Sequence, residues 1–187
     1  MSVPRLSLPI MSDAIGSVDV ARMELWVHYG QAYLVDDDDE MEIPEMLDDH
    51  PEHPVGIIRV ERGAAFLITG LHTGTVDFTL VVADHDPGPD SEGYEDIVEV
   101  SFESPSGKVS LHEWGGEGVH EIPPLAAGPG WYRLRYHARG MDDAEDNVDT
   151  SDGPVERYLM QIWPQAPSDP CVVKVTSDSL RYWLTAG

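Results

Sequence analysis

The sequence predicts an all-β fold: a two-sheet antiparallel β-sandwich, jelly-roll-like, with acidic loops and a short C-terminal helix. Three observations carry that reading. Short apolar runs alternate with a period of two, glycine and proline punctuate them at close intervals, and only one segment has helical spacing. The 17 glycines and 15 prolines among 187 residues suit turns and oppose a helical fold. A chain of this length buries roughly 70% of its extended surface on folding, enough for one domain over 1–187. Residues 1–20 read as an N-terminal extension, and no fixed-period repeat or linker divides the rest.

Taken in order, residues 23–35 read as one long strand or a bent pair. Leu25, Val27 and Tyr29 share one face, Trp26 and His28 the other, and Gly30 marks a bulge. Residues 56–61 form a short β-branched strand. Residues 64–71 and 75–83 flank His72-Thr73-Gly74, which has hairpin-loop composition. Val76, Phe78, Leu80 and Val82 alternate with Asp77, Thr79 and Val81, as in a half-buried strand. Residues 96–103 and 108–114 are strands joined at Pro105-Ser106-Gly107. Period-2 patterning returns at 131–137, and residues 157–163 and 172–175 complete the set. The helix is residues 177–184, with a Ser or Asp N-cap and apolar residues at i, i+3 and i+4.

The charge is unevenly placed. Residues 36–52, 84–103 and 142–156 hold ten, eight and seven carboxylates, 25 of the 35 acids, while all 11 Lys and Arg lie elsewhere. A net charge of −24 opposes direct binding of nucleic acid or an anionic membrane, both of which need clustered cations. It favours a basic protein, a polycation or a divalent ion. Cys171, the single cysteine, allows no intrachain disulfide and is expected as a buried thiol in a strand. No secretory signal pattern and no run of about 18 apolar residues is present, so a cytoplasmic location is expected.

Reactive chemistry is harder to find. Asp36, Asp37, Asp38 and Asp39 lack the apolar neighbours that would split carboxylate pKa values for acid and base roles. Asp142, Asp143, Glu145, Asp146, Asn147 and Asp149 are oxygen-rich without the order of an EF-hand, so weak Ca²⁺ association is expected rather than a built site. His50 and His53 are separated by prolines, and Asp84-His85-Asp86 is a thin transition-metal candidate. His28, His112, His120 and His137 read as surface or hydrogen-bonded strand residues. Gly115-Gly116-Glu117-Gly118 reads as a plain loop. Trp131, Tyr132, Tyr136, Trp163 and Trp183 read as core rather than as a carbohydrate platform. No nucleophile elbow, phosphate loop or dinucleotide fingerprint occurs, and no catalytic residue, cofactor or metal ligand is assigned.

Glu24-Leu25-Trp26-Val27-His28-Tyr29-Gly30-Gln31-Ala32-Tyr33, residues 56–66 and residues 124–134 resemble the opening, middle and late strands of the competence protein J family. Those proteins are small, β-rich bacterial inhibitors of a DNA-entry nuclease. The resemblance runs from Glu24 to Trp163 and implies an acidic β protein that blocks a nuclease. Longer acidic insertions and the segment after Trp163 depart from that pattern.

The expected function is therefore a non-catalytic acidic binding protein, an inhibitor or immunity protein for a basic nuclease or toxin. Its contacts would come from Asp36, Asp37, Asp38, Asp39, Glu40, Glu42, Asp84, Asp86, Asp90, Asp142, Asp143, Glu145 and Asp146. One surface carboxylate contributes only about 1 kcal/mol, but a contiguous field raises encounter rates by about 10 to 10³-fold. Exposed aromatics near those loops would supply the anchors. A metal-binding β module and an accessory domain without a ligand are the alternatives.

Overall fold

The computed structural model describes residues 17–37, 54–116, 118–144 and 153–185. Eleven strands follow in order: β1 (Val18–His28), β2 (Gln31–Asp36), β3 (Ile58–Glu61), β4 (Ala64–Ile68), β5 (Thr73–Ala83), β6 (Asp96–Ser104), β7 (Val109–Glu113), β8 (Val119–Glu121), β9 (Gly130–Arg139), β10 (Arg157–Pro164) and β11 (Cys171–Lys174). A 3₁₀ turn at Trp114–Gly116 leads from β7 toward β8, and one helix, α1 (Asp178–Thr185), follows β11. No helix among the described residues is long and apolar enough to cross a membrane.

The β-rich expectation and the C-terminal helix are both present, but the strands do not divide into two antiparallel sheets. Hydrogen bonds join all eleven into one sheet ordered β11-β6-β9-β10-β5-β1-β2-β4-β3, with β7 on β2 and β8 on β7. It is also mixed, because β10 runs parallel to β5 with Tyr158 opposite Phe78. The sheet curls into a half-barrel: β1 and β2 share only the His28–Gln31 pair, and β3 swings round against β6. There the Gly63 amide donates to the Glu103 carbonyl at 3.0 Å. Sequence alternation cannot report such curvature, since it fixes only which face of each strand is apolar.

Leu25, Val76, Phe78, Leu80, Val98, Phe102, Leu134, Tyr136, Tyr158 and Met160 fill the concave side. Phe78, Tyr136 and Tyr158 stack there, with 5.3 Å between the two tyrosine rings. The opposite face of β9 and β10 is also buried, although it carries Arg133, Arg135, His137 and Gln161. Residues 84–95, between β5 and β6, lie over it as a strap. Asp86 accepts from Arg135 at 2.8 and 3.1 Å, the Asp90 amide donates to His137 Nε2, and the Gly88 carbonyl accepts from Gln161. Residues 165–170 close the other half through Ser168 and Asp169 carbonyls that accept from Arg133.

Four local expectations change. β1 begins at Val18, so the last residues of the expected extension belong to the sheet. Thr73 and Gly74 are strand rather than hairpin loop, paired with His28 and Val27. Cys171 is exposed, because β11 is an edge strand covered on neither face at that position. Tyr132, Tyr136 and Trp163 are core as expected, whereas Trp131 points outward.

Candidate functional site

Among the described residues, the turn between β1 and β2 is the least ordinary piece of backbone. Tyr29 (φ 53°) and Gly30 (φ 65°) both lie in the left-handed region, which gives a two-residue type I′ hairpin. Asn or Asp normally takes the first position, since an ordinary side chain there costs roughly 1 kcal/mol. Tyrosine holds it here and leaves its ring 56% exposed. The ring packs 4.2 Å from His28, 5.1 Å from His72 and 5.5 Å from Trp114, and Trp26 stacks on His28 at 5.6 Å. The Thr73 hydroxyl bridges the Nδ1 atoms of His28 and His72, each at 2.8 Å. Gly30 cannot be enlarged, because its amide donates to the His72 carbonyl and a Cβ would press on the Thr69 carbonyl.

Beside this cluster a cleft of about 480 Å³ opens between the turn and α1. Tyr29, Thr69 and His72 form one wall, Gly70, Met141 and Asp142 the base, and Asp178, Ser179, Tyr182 and Trp183 the other wall. The helix is docked by its apolar stripe: Leu180 is fully buried, Trp183 and Leu184 pack on the core, and Tyr182 stays 63% exposed. Its N-terminus is capped twice. Ser177 Oγ accepts the Leu180 amide at 2.9 Å, and the Asp142 carboxylate accepts the Asp178 and Ser179 amides at 2.9 Å each. Burial alone would raise the Asp142 carboxyl, but those amides and the Ser179 hydroxyl hold it below the ordinary value.

Behind the base lies Glu156, 1% exposed. Burial pushes its carboxyl up to about 7, against the Tyr158 hydroxyl and the Gly70 and Leu71 amides, which favour the ionised form. Tyr158 donates to Oε2 at 2.5 Å, while Oε1 is buried without a hydrogen-bond partner among the described residues. A Cβ on Gly70 would fall 2.5 Å from that oxygen, so only glycine lets the cleft floor and the carboxyl meet.

Seven of the acids singled out from the sequence lie among the described residues. Asp36 is 1% exposed at the end of β2, bonded to the Ser104 hydroxyl and to the Ser106 amide at 3.2 Å; a carboxylate so enclosed has no face for a partner. Asp37 is exposed and accepts from Ser110 at 3.3 Å. Asp84 accepts the Ser17 amide and pairs with His85, Asp86 pairs with Arg135, and Asp90 accepts the Gly93 amide at 2.9 Å. Asp142 caps α1, and Asp143 is exposed next to it. Asp38, Asp39, Glu40, Glu42, Glu145 and Asp146 lie outside the described residues, as do His50 and His53.

The described acids do not gather at one rim. Asp36 sits by Ser104, which pairs with Gly130, whereas Asp142 follows Arg139 at the opposite end of the β6–β9 ladder. At about 3.3 Å per residue the ladder from Asp96 to Ser104 separates those ends by roughly 26 Å. Among the described residues, no group of three or more His, Cys, Asp or Glu is arranged to hold a metal ion.

Sequence reading missed the cleft because its parts come from four separate segments. The one local signal was Tyr29-Gly30 between two apolar runs, a turn dipeptide with an unusual first member.

Comparison with known proteins adds a fold but no activity. No protein-family model matches the sequence, and no curated protein does either. A solved structure described as "Crocagin biosynthetic gene J" superposes with a TM-score of 0.52 at 14% identity, covering 80% of this chain and 99% of that one. At that identity the likeness concerns the fold alone. The resemblance to the competence protein J family is thereby corrected: short strand motifs of this kind recur in many β folds, and the fold found matches a biosynthesis protein.

Proposed function

We propose that the protein is a non-catalytic acidic binding protein that takes a basic protein partner at the cleft between the β1–β2 turn and α1. The observation that carries this reading is Tyr29, a large ring kept exposed on strained backbone beside Tyr182 and Trp183. Strain retained at an exposed aromatic marks a site where contact matters more than stability. Acid spread over the molecule supplies long-range attraction, and the aromatic cleft supplies position. A nuclease or toxin belongs to the class of partner this would suit.

The test uses decalysine as the basic probe and the intact chain. Tyr29→Ser and Tyr182→Ala are each expected to weaken binding about tenfold at 150 mM salt, as loss of an aromatic anchor does. Binding that follows only total charge, unchanged in both variants, would refute the reading.

A further inference from the structure

We propose that the cleft receives a single cationic side chain, a lysine or arginine presented by the partner, in contact with Tyr29 and Tyr182 and facing the Gly70 floor. The inference rests on the partner-binding reading and names what enters the site. Three independent features converge on a cation. The walls carry the aromatic side chains of Tyr29, Tyr182 and Trp183, a ring type that attracts ammonium and guanidinium groups. The charged groups that line the base and far wall are carboxylates: Asp142, which accepts the helix amides, and Asp178, which holds the Arg181 guanidinium at 2.8 Å. Glu156 stands behind the floor, its ionised form favoured by the Gly70 and Leu71 amides and its Oε1 without a well-formed hydrogen bond among the described residues.

The volume agrees. A space of about 480 Å³ exceeds one lysine or arginine side chain and is too small for a folded element, so one inserted residue with its water fits. Other charged or titratable groups around the site are His72 on the β4–β5 connection, Arg181 on α1, and Tyr136 and Tyr158 flanking Glu156. A cation above the floor favours the ionised form of Glu156. Binding therefore strengthens as pH rises through the neutral range and releases a proton from that carboxyl.

The experiment titrates the intact chain with N-acetyl-lysine methylamide and its neutral isostere N-acetyl-norleucine methylamide, followed by backbone-amide NMR. Saturable shifts at Gly70, Met141 and Tyr182 are expected with the cation alone, weakened about three- to tenfold by the surface substitution Tyr182→Ala. Equal response to the isostere, or no saturable shift up to about 100 mM ligand, overturns the proposal. Affinity for the cation is expected to rise between pH 6 and 8, and Glu156→Gln is expected to abolish the rise. A rise that survives Glu156→Gln and vanishes in His72→Gln overturns the part given to Glu156. Decalysine binding that still depends on Tyr29 while the lysine derivative fails would sink this inference and leave the partner-binding reading standing.

Discussion

His137 and Glu156 are two buried groups that titrate in opposite senses. His137 donates from Nδ1 to the Leu159 carbonyl at 3.0 Å and accepts the Asp90 amide at Nε2, so its bonding requires the neutral ring. Burial lowers it from 6.5 to about 4, against the hydrogen bond to the Leu159 carbonyl, which favours the charged ring. The unfolded chain thus binds a proton that the folded chain refuses, and stability falls as pH drops from 6.5 toward 4. Glu156, raised from 4.5 to about 7, behaves oppositely: the folded chain keeps a proton that the unfolded chain releases, so stability falls as pH rises from 4.5 to 7. The two nearly offset each other between those limits. Glu156→Gln is expected to unmask the histidine, giving a loss of roughly 3 kcal/mol between pH 6.5 and 4 in denaturant titrations. A pH profile parallel to that of the parent would contradict this.

At the same scale, Asp142→Ala removes the carboxylate that caps α1 and is expected to cost about 1 kcal/mol. Amide exchange should quicken in the first turn of α1 and stay unchanged in β9, because Gly140 and Ala138 keep their own bonds.

Among the elements, the β1–β2 turn and the strap pull in different directions. Tyr29→Asn suits the left-handed backbone and is expected to stabilise the fold by roughly 1 kcal/mol while weakening decalysine binding. Thermal denaturation and a binding titration on one sample check both signs. The strap is the reverse case, where polar groups serve stability. Arg135 bonds Glu99 at 2.6 Å, Asp86 at 2.8 Å and Gln161 at 3.0 Å, and its guanidinium lies 4.5 Å from the Trp163 ring. Arg135→Ala takes away one of the two guanidinium partners of Glu99, leaving Arg133 at 3.0 Å, and is expected to cost about 2 to 3 kcal/mol. A loss below about 1 kcal/mol in urea unfolding would show that the network contributes little.

Strand alternation was legible wherever one face is apolar and the other wet, as in β5, where Val76, Phe78, Leu80 and Val82 are buried and the residues between them half-buried. It failed to reveal that β9 is covered on both sides. Arg133, Arg135 and His137 look like a solvated face in sequence, and only the distant acids of the strap and Glu99 make them interior. Glu156 was unreadable for the same reason, since its burial depends on Gly70 and Tyr158 rather than on its exposed neighbours Val155 and Arg157.

For the molecule as a whole, cations are largely consumed internally. Arg133 and Arg135 lie under the covering loops, Lys174 donates to the Ser91 and Tyr94 carbonyls, and Arg62, Arg157 and Arg181 face Glu103, Asp77 and Asp178. Among the described residues, what faces solvent is a negative field without a single focus. Such a field speeds encounters and is screened over roughly 8 to 10 Å, so on the proposed reading it would select partners by sign and leave position to the aromatic cleft. Association rates with decalysine are expected to fall steeply with salt in the parent and in Tyr182→Ala alike, while dissociation quickens in the variant alone.

Hydrogen exchange of the intact chain with and without decalysine at 150 mM salt tests this division of labour most directly. Protection centred on residues 29–31, 69–72 and 178–183 is the expected footprint. Protection confined to the acidic strap at residues 84–95, with the turn and helix exchanging as in the free protein, would contradict it.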